Sequence, residues 1–148
     1  GDGILSVQHH KEDAMKTTYH GGCHCGAVRY EVSLDLSEGT TRCNCSYCSK
    51  ARWWGAIARP DDFRLISGED VLADYQFGSK QGHHLFCRRC GIHSFGRGDI
   101  PDWIGPYVSI NVACLEGIAD ADKAALPITF NNGRDNDWFN RPAVTAYL

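Results

Sequence analysis

The chain is poor in the residues and patterns that mark extended, membrane-bound or nucleic-acid-coating proteins. Only 5 of its 148 residues are proline, and a single methionine, Met15, is present. No apolar run approaches the roughly 18 residues a membrane-crossing helix requires, so no membrane span is expected. Neither sign of charge dominates. Fifteen Lys and Arg stand against 18 Asp and Glu, a net charge of −3, with a pI near 6.1. That balance argues against affinity built on blanket phosphate neutralisation, and no nucleic-acid partner is expected. No basic stretch leads into an apolar segment and a small-residue cleavage site, so secretory export is not expected either. Repeats, linkers and low-complexity tracts are missing. What remains, 43% hydrophobic and 22% charged, is the composition of one soluble domain large enough to bury a core.

Helical patterning is scarce. Val28, Tyr30 and Val32 alternate with Arg29, Glu31 and Ser33, the period-2 signature of a half-buried strand. Further strands are expected at Phe63 to Ile66, Val71 to Phe77, His84 to Phe86 and His93 to Phe95. The longest runs from Tyr107 to Leu115, with Val108, Ile110, Val112 and Cys114 on one face. Two short helices are expected, at Cys45 to Trp53 and at Asp120 to Leu126. Asn131 to Pro142, rich in Asn, Asp and Gly, reads as turns. Residues 1–14 are polar and aperiodic and read as a disordered leader or expression remnant, leaving residues 15–148 as a single, mainly β domain.

The distinctive feature is eight cysteines, seven of them in three clusters: Cys23/Cys25, Cys43/Cys45/Cys48 and Cys87/Cys90. Spacings of one residue would strain a directly bridged disulfide, whereas two thiolates in a tight turn can face one ion. Reduced, metal-binding cysteines in a reducing, cytoplasmic compartment are therefore expected. Zinc takes four protein ligands in structural sites and three plus an open position in catalytic ones, so seven thiols divide into four and three. Cys23, Cys25, Cys87 and Cys90 form two knuckles, each followed by glycine, and are expected to hold a structural zinc. Cys43, Cys45 and Cys48 come from one short segment and would leave a coordination position open to water or a substrate thiol. Arg42, Lys50 and Arg52 are close enough in sequence to offset that site's charge, or are solvated surface cations. Cys114 is expected to be a small buried core residue; as a fourth ligand to the middle cluster it would close that site. Other pairings of the clusters, including a two-metal site, remain open. His83, His84 and His93 flank the third cluster and are candidate proton shuttles or strand-end polar groups. Trp53 and Trp54 either wall a pocket over the middle cluster or pack in the core.

The series G-x-C-x-C-G at 21–26, C-x-C-x-x-C at 43–48 and F-C-x-x-C-G at 86–91 resembles the glutathione-dependent formaldehyde-activating enzyme family, which also contains the centromere protein V-type domain. The resemblance runs from about Met15 to the C-terminus. It implies a zinc-bound β-tent of antiparallel strands and two zinc ions. The structural zinc would lie on Cys23, Cys25, Cys87 and Cys90, and the catalytic zinc on Cys43, Cys45 and Cys48. The implied activity is that of a carbon–sulfur lyase joining glutathione and formaldehyde into S-(hydroxymethyl)glutathione. Its partners would be a small thiol such as glutathione and an aldehyde, with a water, His84 or His93 supplying the proton. Two other functions fit the cysteines. One is a non-catalytic zinc module that binds protein or nucleic acid; the net charge disfavours nucleic acid, for which Arg88, Arg89 and Arg97 would be the local patch. The other is a redox protein in which Cys45 and Cys48 form a reversible disulfide.

Overall fold

A computed structural model describes residues 15–148; residues 1–14, expected to be a leader, lie outside the described residues. Among the described residues, ten strands form two sheets. β1 (Thr17–Gly22), β2 (Arg29–Leu34) and β5 (Phe63–Ser67) make a three-stranded sheet in the order β1-β2-β5. The larger sheet joins β3 (Thr40–Cys43), β4 (Gly55–Ala58), β6 (Leu72–Tyr75), β7 (Gly82–Cys87), β8 (Phe95–Ile100), β9 (Gly105–Asn111) and β10 (Ile128–Asn131). Its order is β10-β3-β4-β9-β8-β7-β6. Among the described residues the helices are α1 (Ser46–Ala51) and α2 (Asp120–Ala124). The mainly β expectation therefore holds. The antiparallel one holds for every strand pair but one: β10 runs parallel to β3, pairing Ile128 with Thr40 and Asn131 with Cys43. No helix among the described residues is long and apolar enough to cross a membrane.

The core lies between the sheets. β2 buries Tyr30, Val32 and Leu34 on one face, as its alternation requires. Opposite them stand Phe95 of β8, Val108 and Ile110 of β9, and Ala56 and Ala58 of β4, all buried. Tyr30, Phe63 and Phe95 form the aromatic centre, with ring centroids 4.8–5.6 Å apart. The Tyr30 hydroxyl donates across the layer to the Ser94 carbonyl at 3.0 Å, so its one polar atom is satisfied.

The long expected strand ends early. β9 stops at Asn111, whose side chain accepts a bond from the Ala113 amide and turns residues 112–114 into a single 3-10 turn. Val112 remains buried and Leu115 takes the next core position. Cys114 is rotated off that face to an intermediate position and is not a core residue. Its thiol is pushed up to about 11 by burial, opposed by Lys123 and reinforced by the charges of Cys23 and Cys90. Those two neighbours belong to the four-thiol group, so nothing here supports Cys114 as a fourth ligand to the middle cluster. β6 is likewise shorter than expected, because a 3-10 turn occupies Glu69–Val71. β8 begins only at Phe95, leaving His93 and Ser94 in the approach to the strand.

Candidate functional site

The two knuckles come together and link the two sheets. Cys23 follows β1 in the small sheet, and Cys87 ends β7 in the large one. Their sulfurs and those of Cys25 and Cys90 all lie within 4.8 Å of one another, the only such group of three or more ligand side chains among the described residues. Cys25 stands 3.6 Å from Cys23 and 3.7 Å from Cys87, sulfur to sulfur. Backbone amides point at these sulfurs: Val28 N–H donates to Cys23 Sγ at 3.3 Å and Arg89 N–H to Cys87 Sγ at 3.4 Å. Gly26 and Gly91, with φ of 84° and 79°, take the left-handed turns that aim such amides inward. Amides at Cys25 and Ile92 bring the Cys90 thiol down to about 6. Four convergent thiols with amide donors and no competing carboxylate suit a thiophilic divalent cation.

The second cluster is built where β3 runs into α1. Cys43 is the last residue of β3, and Cys45 caps α1, its sulfur accepting the Cys48 amide at 3.3 Å. One turn of helix then brings Cys48 back toward both. The Cys43 and Cys48 thiols and the Cys48 and Tyr47 amides lower Cys45, while the Cys43 and Cys45 thiols and burial raise Cys48.

Asn44, between these cysteines, faces the other way and is 4% exposed. Its amide donates to Asn132 Oδ1 at 2.8 Å, and its carbonyl oxygen accepts the Arg134 amide at 3.0 Å. This clasp lays the chain after β10 across the thiols. Gly133 sits so close that a Cβ there would stand 2.7 Å from the Cys43 sulfur and 3.0 Å from the Trp138 ring. Only hydrogen fits between that segment and Cys43.

An aromatic group borders the cluster. Tyr47, on α1, stacks on His84 with centroids 4.1 Å apart and also packs on Phe77 and Tyr75. Its hydroxyl is 2.8 Å from His93 Nδ1, and Trp53 stacks on His93 with centroids 4.3 Å apart. Burial, then the charge of His84, lowers His93 to about 4, so the ring is neutral near pH 7. Burial lowers His84 too, partly offset by the charge of Cys45. His84 and His93 thus stand beside the middle cluster, whereas His83 pairs with Asp74 at 2.6 Å on the surface. Among the described residues, His93 Nε2 is the buried side-chain nitrogen without a partner.

The flanking cations are spent elsewhere. Arg42 covers the Trp54 ring at 5.2 Å and donates to the Arg52 carbonyl, while Arg52 donates to the Leu148 carbonyl. Lys50 is exposed. Trp54 packs against the core and bonds Thr40, so Trp53 alone of the pair borders the site. Arg97 lies over Phe63 and Phe95 rather than in a basic patch. Tyr47, Gly133 and Trp138 were not singled out from sequence. Tyr47 had one available signal, its place between two candidate ligands.

Residues 18–129 match the family model described as glutathione-dependent formaldehyde-activating enzyme. A curated protein of Halomonas elongata, itself only provisionally assigned as such an enzyme, is 33% identical over 78 residues, or 47% of this chain and 50% of that protein. The match thus spans about half the length of that relative. A crystal structure of a Rhodobacter sphaeroides protein superposes with a TM-score of 0.63 at 38% identity, covering 74% of this chain and 99% of that one.

Proposed function

This chain belongs to the glutathione-dependent formaldehyde-activating enzyme family, and on that premise we propose that it is a zinc-dependent carbon–sulfur lyase acting on the adduct of a small thiol, such as glutathione, and an aldehyde. The observation that carries this is the separation of roles among seven thiols. Four close on one another across the two sheets, while three from a single β3–α1 segment stand apart beside His84, Tyr47 and His93. Zinc held by Cys43, Cys45 and Cys48 would supply Lewis acidity that ionises an arriving thiol.

In the joining direction the substrate sulfur attacks the aldehyde carbon. A carbon–sulfur bond forms, the carbonyl π pair moves to oxygen, and the thiol's proton ends on that oxygen. Residues of the chain hold the reactants and carry the proton. The clasp at Asn44 and the close approach of Gly133 fix Cys43 and Cys45, and positioning of this kind contributes much of the rate in two-reactant chemistry. His84, near enough to sense the Cys45 charge, is the imidazole best placed to pass the proton.

Lowered Cys45 beside raised Cys48 also fits a second reading, a redox dithiol. Native mass spectrometry with and without glutathione separates the two. The lyase predicts two zinc ions and one glutathione adduct that disappears in Cys45→Ser, which stays folded and loses turnover at least 100-fold. One zinc with a disulfide among Cys43, Cys45 and Cys48 would overturn it.

A further inference from the structure

The aromatic group beside the middle cluster contains one nitrogen that nothing satisfies. His93 Nε2 is buried and, among the described residues, has no hydrogen-bond partner. It faces the buried Gly96, where a Cβ would stand 3.4 Å from it and 2.6 Å from the His83 carbonyl. The rest of the residue is fixed. Asn111 donates to the His93 carbonyl at 3.0 Å, Trp53 stacks on the ring, and Nδ1 lies 2.8 Å from the Tyr47 hydroxyl. A nitrogen closed off in this way passes no proton to a substrate, so His93 is not the shuttle that its place in the sequence allowed. Its working nitrogen is Nδ1, and Tyr47 is the group that nitrogen serves.

A neutral imidazole carries one proton, on one nitrogen or the other, and the bond made by one nitrogen sets the state of both. On Nε2 the proton would be a buried donor with no acceptor. As with backbone groups, an orphaned N–H is rarer than an under-satisfied acceptor. The Nδ1–H tautomer instead donates to the Tyr47 oxygen and leaves the hydroxyl's own hydrogen free. Tyr47 lies between Cys45 and Cys48 on α1 and stacks on His84 with centroids 4.1 Å apart. Burial, then the charge of the Cys48 thiol, keep the hydroxyl protonated. We propose that His93, as the Nδ1–H tautomer, is a positioning residue that turns the Tyr47 O–H toward the substrate oxygen, and that Tyr47 stabilises the alkoxide forming there. The proposal rests on the lyase reading. As the substrate sulfur adds to the aldehyde carbon and the carbonyl π pair moves to oxygen, Tyr47 donates a hydrogen bond to that oxygen. The thiol's proton, carried by His84, then neutralises it, and Tyr47 keeps its own. A fixed donor of this kind acts on charge that develops only during the reaction.

The test begins with the zinc-loaded wild-type chain carrying isotope-labelled histidine. At neutral pH, long-range proton–nitrogen correlations of His93 should show a protonated Nδ1 and a bare Nε2. The reverse assignment would overturn the positioning role, and this reading needs no substitution. Catalysed exchange between glutathione plus formaldehyde and their adduct, followed by magnetisation transfer, tests Tyr47. Tyr47→Phe keeps the ring and its stacking, and should lower kcat about 100-fold with zinc content and KM for glutathione unchanged. His93→Leu should lower kcat about 10-fold in the presence of Tyr47 and hardly at all in Tyr47→Phe. His93→Asn, whose amide can donate from the Nδ1 position, should recover most of that loss. Exchange in Tyr47→Phe equal to that of the wild type, or a loss confined to KM, would overturn the proposal and leave the lyase reading standing. Additive losses in the double substitution would overturn the link from His93 to Tyr47. No catalysed exchange in the wild-type chain would remove the lyase reading and the role of Tyr47 with it, whichever tautomer is found.

Discussion

His93 shows how one buried ring couples the site to acidity. Its ordinary value of 6.5 falls to about 4 because burial, and then the charge of His84, disfavour the protonated form. Between those values the unfolded chain binds a proton that the folded protein refuses, so stability drops as pH falls through that window. The loss attributable to this ring should reach about 2 kcal/mol by pH 5. Urea midpoints at pH 7 and pH 5 check it: the wild type should lose more stability than His93→Phe by that amount, and equal losses would contradict it. Cysteine and histidine announce their chemistry in a sequence, and the three clusters were legible for that reason. Gly133 and Trp138 were not, because what matters about them is closeness to Cys43 across a chain separation that no local pattern encodes.

Elements with a strong face were equally legible. β2 alternates cleanly, and α1 falls inside the span expected of it, bounded by Cys45 as cap and by Arg52 in the left-handed conformation. β3, β4 and β10, four residues each, carry too few positions for a periodicity. Their identity comes from their partners. The parallel β3–β10 pair depends on one side chain in particular. Replacing Asn44 with Ala would strip partners from Asn132 Oδ1 and the Arg134 amide, at a cost of about 2 kcal/mol for two part-buried bonds. Hydrogen exchange should then quicken across residues 127–135 while β8 and β9 stay protected. Unchanged exchange in that segment would mean that the clasp is not what holds it.

For the whole molecule, the four-thiol group adds a link between sheets that already meet through the buried side chains of β2, β4, β8 and β9 and the Tyr30, Phe63 and Phe95 rings. Metal affinity at such a site, on the order of 10 kcal/mol in small zinc peptides, is comparable to the full stability of a domain, about 5–15 kcal/mol. Cys87→Ser or exhaustive chelation should therefore abolish cooperative thermal unfolding near its native midpoint. Cys45→Ser should move that midpoint by only a few degrees. Equal effects of the two substitutions would merge the roles assigned to the two clusters.

The pairing of β10 with β3 also sets an order in time. On the ribosome Cys48 emerges long before Asn131, and at about 5–20 residues per second the intervening chain takes roughly 4–17 s to make. The knuckles are complete by residue 90, so the clamp between the sheets can load while synthesis continues. Cys43, Cys45 and Cys48 wait uncovered until the 131–134 segment arrives beside them. For those seconds their protection from oxidation and from stray metal must come from the cell rather than from the fold.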